Sequence, residues 1–157
     1  MAVQTAVASE IKVGDMAPEF TLKDQDQKDV ALSSFRGKKN VVLAFYPLDW
    51  SPVCTGENKC LSDDFPKFEG LNAVVLGIST DSFFSHKAWA ANGLGKVQFP
   101  MLADTNHELS RAYGVLIKEK GIALRGTFIV DPDGNLKSAS INDLPVGRSV
   151  EETLRTL

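Results

Sequence analysis

Val41-Val42-Leu43-Ala44-Phe45-Tyr46-Pro47-Leu48-Asp49-Trp50-Ser51-Pro52-Val53-Cys54-Thr55-Gly56-Glu57 is the stretch that decides the fold. Its first six residues are continuously apolar, β-branched or aromatic, the pattern of a strand buried on both faces. Pro47 and Pro52 forbid a helix through the middle. Pro52 suits the first turn of a helix that follows. The stretch thus predicts a buried strand, a proline-rich loop, and a cysteine opening a helix. In open α/β sheets, sites form beyond the carboxyl ends of strands. A cysteine in a first helical turn faces unpaired backbone N–H groups and the positive dipole end, both of which stabilise negative charge.

Outward from this stretch, apolar and helical signals alternate. Short strands are expected at 19–23 and 29–32, with a turn at 37–40. Leu61, Phe65 and Phe68 recur at helical spacing, so one helix is expected over 54–68, ended by Gly70. A second buried strand is expected at 73–79, then a helix over 83–91 capped by Asp81 or Ser82. A strand at 99–102 and a helix over 106–113 capped by Asp104 or Thr105 follow. Strands at 127–130 and 136–141 flank the turn Asp131-Pro132-Asp133-Gly134, and a last helix starts at Ser149. Strands alternating with helices imply an α/β fold with a partly parallel sheet. With 157 residues one domain is expected, spanning 11–157 behind a flexible tail at 1–10.

Composition narrows the function. Seventeen Lys and Arg against twenty Asp and Glu give a net charge of -3, which argues against a nucleic-acid binder and a polybasic membrane anchor. No apolar run approaches the ~20 residues of a transmembrane helix. The first eleven residues hold no Lys or Arg, so no secretory signal is read and a cytoplasmic location is expected. The two cysteines, Cys54 and Cys60, and the two histidines, His86 and His107, lack zinc-ligand spacing, and no C-x-x-C is present. His86 and the tryptophans Trp50 and Trp89 read as packing residues, and His107 as an exposed helix residue. Asp63 and Asp64 read as a solvated helix face.

Pro47, Ser51 and Cys54 match P-x-x-x-[T/S]-x-x-C, and on these residues the chain resembles the peroxiredoxins, the alkyl hydroperoxide reductase and thiol-specific antioxidant family. Four further segments resemble that family in order: 13–20 (G-x-x-A-P-x-F), 81–89 (D-S-x-F-S-H-x-A-W), 124–131 (R-G-x-F-I-V-D) and 146–149 (V-G-R-S). The loop is most similar to that of the short bacterial one-cysteine or atypical two-cysteine members. The resemblance implies a thioredoxin-like fold, with a central mixed β-sheet flanked by helices and an N-terminal β extension. It implies a thiol-dependent peroxidase that reduces hydrogen peroxide and organic hydroperoxides through a sulfenic acid at Cys54, in antioxidant defence and redox homeostasis. No cofactor is implied. Carried onto matching positions, the resemblance gives Ser51, Arg125 and the Val53 and Cys54 amides as donors to the peroxide. Pro47 shields the sulfur, and Glu57 bridges Arg125 and Arg148. Thioredoxin, a glutaredoxin-like protein or a small thiol is the implied reductant, and a homodimer or higher oligomer, with contact near the catalytic loop, is the implied assembly.

The second thiol stays open. The common resolving cysteine lies beyond the V-G-R-S helix, and this sequence ends at Leu157 without one, either because no arm exists or because the sequence stops short of it. Cys60 is the internal candidate. Six residues along an intact helix rise about 9 Å and turn about 240°, leaving the Cα atoms roughly 10 Å apart. A disulfide spans only about 4.4–6.8 Å. Cys60 therefore either resolves Cys54 after the helix unwinds, aided by Gly56, or is a small apolar core residue while an external thiol reduces Cys54. Two other readings remain: a dithiol–disulfide exchange protein, which the missing C-x-x-C counts against, and a redox sensor or holdase on the same fold.

Overall fold

Strand β3 (Asn40–Phe45) lies at the centre of a five-stranded sheet whose order is β5-β4-β3-β8-β9. The computed structural model describes residues 11–95 and 97–157, and the expected tail at 1–10 lies outside them. Before β3 come a hairpin of β1 (Thr21–Lys23) and β2 (Asp29–Ala31) and a 3-10 turn, Leu32–Phe35. After it come helices α1 (Pro52–Asp63) and α2 (Phe65–Gly70), β4 (Ala73–Ser79), α3 (Phe83–Asn92) and β5 (Met101–Ala103). Helix α4 (Glu108–Ala112), a hairpin of β6 (Leu116–Ile117) and β7 (Ile122–Ala123), β8 (Arg125–Val130), β9 (Leu136–Asn142) and α5 (Val150–Thr156) complete the chain.

Strands β3, β4 and β5 run parallel, β8 runs antiparallel to β3, and β9 runs antiparallel to β8 and so in the same direction as β3. The sheet is mixed, flanked by helices and thioredoxin-like, as the sequence led one to expect. Alternate residues of β3 feed two cores. Val41, Leu43 and Phe45 pack with Leu76, Tyr113 and Phe128 on one face. Val42, Ala44 and Tyr46 pack with Val75, Trp89, Ile129 and the Cys54 thiol on the other. The period-2 alternation of side chains in a strand explains the division.

Four expectations need correction. The single helix expected over 54–68 is two, broken at Asp64. Pro66 has no N–H for the Ser62 carbonyl and its ring crowds the preceding turn, so α1 cannot run through it. Helix 106–113 shortens to Glu108–Ala112, because His107 takes a left-handed φ of 65° and Asp104 captures the Leu109 and Ser110 N–H groups at 3.1 and 2.7 Å. His107 is therefore a half-buried residue at the helix start. Trp50 also sits at positive φ (70°) and is 51% exposed, unlike the fully buried Trp89. No described helix is long and apolar enough to cross a membrane.

Candidate active site

The topology brings distant residues to one edge of the sheet. Parallel β3 ends at Phe45, and the adjacent antiparallel β8 begins at Arg125, with Ala44 opposite Thr127. The carboxyl end of β3 and the start of β8 therefore lie side by side. Helix α1 opens just past that edge, with Pro52 at its first position and Cys54 in its first turn. Its first backbone bond runs from Thr55 N–H to the Ser51 carbonyl, at 2.9 Å, so the Val53 and Cys54 amides precede the helical ladder.

Cys54 is fully buried. Arg125 Nη1 donates to its Sγ at 3.2 Å and to Glu57 Oε2 at 3.1 Å, while Arg125 Nε donates to the Leu144 carbonyl at 2.7 Å. Three donor bonds fix the plane of that guanidinium over the sulfur. Gly126, next in the strand, is packed closely: a Cβ there would stand 2.8 Å from both Phe128 and Val115 side-chain carbons. Glu57 Oε1 accepts the Arg148 backbone N–H at 2.5 Å, and Oε2 lies 3.8 Å from Arg148 Nη2. Arg148 Nη1 donates to the Gly126 carbonyl and Thr127 Oγ1 at 2.8 and 2.6 Å, and Nη2 to the Phe45 carbonyl. Glu57 thus touches both arginines, one helical turn after Cys54.

Charge within this cluster follows from burial. Desolvation pushes the Arg148 guanidinium down to about 10, while Glu57 opposes the shift. At neutral pH it remains a cation. Two guanidinium groups and one carboxylate leave a single positive charge over, which a Cys54 thiolate would balance. In so buried a place an uncompensated charge is costly.

Other expected site residues are placed differently. Pro47 is buried at the end of β3, beside the core. The Ser51 hydroxyl donates to the Leu48 carbonyl at 3.0 Å, so it is turned toward its own loop. Cys60 is exposed, which removes it from the core, and both cysteines are free thiols on an intact α1.

Sequence reasoning missed what holds the loop from behind. The Asp49 carboxylate accepts from the Tyr46 hydroxyl at 2.7 Å and the Ser85 hydroxyl at 2.8 Å, and its Oδ2 lies 2.7 Å from His86 Nδ1. His86 Nε2 faces the Leu102 carbonyl at 3.0 Å, and the Asp49 backbone N–H donates to Asp81 Oδ2 at 2.9 Å. His86 is thus a buried polar anchor of the loop as well as a packing residue. Burial, reinforced by the Asp49 charge, pushes the Tyr46 phenol well above its ordinary range, so it stays a donor. An acidic residue in a proline-rich loop was the available signal for this network.

A thioredoxin-like sheet with a buried thiol at a helix N-terminus, under a guanidinium from a neighbouring strand, defines a thiol-redox class of protein. The chain belongs to the AhpC/TSA family, the peroxiredoxins, whose sequence profile matches residues 13–139. It is 52% identical to peroxiredoxin prdx-2 of Caenorhabditis elegans, covering 91% of this chain and 75% of that protein. It is 50% identical to a thioredoxin peroxidase of Echinococcus granulosus, over 92% of this chain and 79% of that one. Among solved structures, the AhpC of Enterococcus faecalis superposes with a TM-score of 0.87 at 37% identity, covering 92% of this chain and 89% of its own.

Proposed function

We propose that Cys54 is the peroxidatic nucleophile of a thiol-dependent peroxidase acting on hydrogen peroxide and organic hydroperoxides. The activity is the one carried in the names of the peroxiredoxin relatives. The observation that carries the residue assignment is the 3.2 Å approach of Arg125 Nη1 to the buried Cys54 Sγ. The thiolate attacks one peroxide oxygen in line with the O–O bond. An S–O bond forms, the O–O bond breaks, and its electron pair leaves on the second oxygen, which takes a proton and departs as water or an alcohol. Arg125 and the Val53 and Cys54 amides are the donors available to that leaving oxygen, and such preorganised donors supply most of the acceleration. Ser51 joins them only by rotating its hydroxyl off the Leu48 carbonyl. Glu57 and Arg148 act by holding Arg125 in plane.

An external thiol reduces the sulfenic acid, in this reading. Cys60 favours a second route by being exposed, but six helical residues and about 240° of rotation separate the two sulfurs until α1 unwinds. Intact mass after one equivalent of hydrogen peroxide, added to fully reduced protein, tests both. Gain of one oxygen at Cys54 is expected. Loss of two hydrogens within one chain would assign Cys60 the resolving role. Unchanged mass with peroxide left over would sink the peroxidase reading.

We also propose self-association next to the catalytic loop. Leu48, Trp50, Val53 and Phe84 are large apolar side chains left 42%, 51%, 42% and 67% exposed around it. Covering them against a second copy removes that area from water. Sedimentation of the reduced protein should give at least a dimer of the 17.1 kDa chain, and Trp50→Glu should dissociate it. A wild type that sediments as a monomer would refute this.

A further inference from the structure

Three buried side-chain atoms have no hydrogen-bond partner among the described residues: Asn58 Oδ1, Trp89 Nε1 and Arg148 Nε. Of these side chains only Arg148 carries a charge. Its terminal nitrogens are engaged by Gly126, Thr127 and Phe45, which leaves the Nε proton unspent. The Arg148 side chain is 4% exposed and lines a cleft of about 330 Å³ formed by β8, β9 and α5.

The walls of that cleft hold donors with a proton to give. Ser138, Ser140 and Asn142 stand on one face of β9, as residues two apart in a strand do. Their side chains bond to no described residue. Thr127, opposite Ser140 across the β8–β9 pair, accepts from Arg148 at 2.6 Å and keeps its own O–H. Ser149 accepts the Glu152 N–H at 3.2 Å and likewise keeps its O–H. The carboxylate on the walls, Glu152, is neutralised by Arg155 through two hydrogen bonds of 2.9 and 2.6 Å. Unspent hydroxyls and an amide therefore surround a buried cation.

We propose that this cleft binds a phosphate group, free or carried on a small metabolite, and that it does so most tightly when Cys54 carries no negative charge. A phosphate presents at least three acceptor oxygens, which suits donors arriving from two strands and a helix better than the two oxygens of a carboxylate do. A cleft of about 330 Å³ also has room for a polar body behind the phosphate. The hydroxyls supply hydrogen bonds, and Arg148 supplies the attraction over distance, because its buried surroundings screen it little.

The tie to Cys54 is one of charge. Arg125, Arg148 and Glu57 sum to one positive charge, which a Cys54 thiolate cancels. The charges of Cys54 and Arg125 both act on Arg148. When the sulfur is neutral, as a sulfenic acid or a disulfide, the positive charge is left uncovered and an anion in the cleft can balance it. The balance of charge is the same whichever reaction Cys54 performs.

Isothermal titration of the full, reduced chain with inorganic phosphate at neutral pH tests the site, with sodium chloride of equal ionic strength as the blank. Cys54→Ser should bind phosphate about fivefold more tightly than the wild type, the lower end of usual couplings between sites. Two cleft variants are made in the Cys54→Ser background. Ser140→Phe fills the cleft from an exposed position on the edge strand and should abolish binding. Asn142→Leu removes the amide at similar size and should weaken binding about tenfold. Asn142→Leu decides the matter alone if circular dichroism shows Ser140→Phe unfolded. Glycerol 3-phosphate is titrated alongside: tighter binding than inorganic phosphate assigns the site to a phosphorylated metabolite, and equal binding assigns it to the free ion. No saturable heat in Cys54→Ser overturns the site. So does binding that the cleft variants leave intact, which would put the anion beside Arg125 instead. Binding that the cleft variants abolish, but that is equal in wild type and Cys54→Ser, overturns the coupling to Cys54 and leaves the site.

Discussion

Cys54→Ser protein should consume peroxide at least about a thousandfold more slowly than the wild type, because removing a nucleophile leaves only the residual effect of its surroundings. A serine hydroxyl is almost wholly protonated at neutral pH and is a far weaker nucleophile than a thiolate. The substitution is nearly isosteric, so the buried pocket under Arg125 should persist, and thermal unfolding should stay near that of the wild type. Peroxide consumption with a thiol reductant in excess measures the effect. Retention of the wild-type rate would move the chemistry to Cys60, the other free thiol.

Arg125→Met is expected to have the next largest effect. Methionine keeps an unbranched stem of similar girth and removes every donor. The Cys54 sulfur then loses the bond at 3.2 Å, Glu57 the bond at 3.1 Å and the Leu144 carbonyl the bond at 2.7 Å. Loss of one preorganised donor at a developing charge costs roughly 100–1000-fold in rate. Stability should fall by about 3 kcal/mol, the lower part of the range for breaking a buried pair, because Glu57 retains Arg148. Glu57→Gln separates orientation from donation. It leaves Arg125 present but holds it with a neutral partner, and a misplacement of about 1 Å can cost up to about a hundredfold. The second-order rate constant for peroxide, followed by stopped-flow tryptophan fluorescence, ranks the three proteins. An unchanged constant in Glu57→Gln would remove the orienting role from that carboxylate.

Much of this protein is written in local pattern. The apolar run of β3, the boundaries of β4 and the Ser82 and Ser149 caps obey rules that reach only a few residues along the chain. So does the position of Cys54 behind Pro52, at a helix start beyond a buried strand. Errors arose where local rules compete: a proline at position 66 overrode a helical spacing of Leu61, Phe65 and Phe68, and Asp104 pulled the start of α4 inward. Arg125 and Arg148 were reached by resemblance to a motif, since nothing periodic in the sequence singles them out.

The sequence by itself determined the alternation of strands and helices, the buried central strand and the placing of one thiol in a first helical turn. Only the tertiary structure decided what surrounds that thiol. Arg125 meets a cysteine 71 positions away because β8 runs antiparallel beside β3. Glu57 receives the backbone of Arg148, 91 positions on, because α5 begins over the same edge. The turn of the Ser51 hydroxyl toward Leu48, the exposure of Cys60, the Asp49–His86 anchor and the orphaned oxygen of Asn58 were decided in the same way. The reason is one of range: side-chain periodicity is set by φ and ψ within a few residues, whereas strand order and the competition among buried donors and acceptors depend on the whole packed chain.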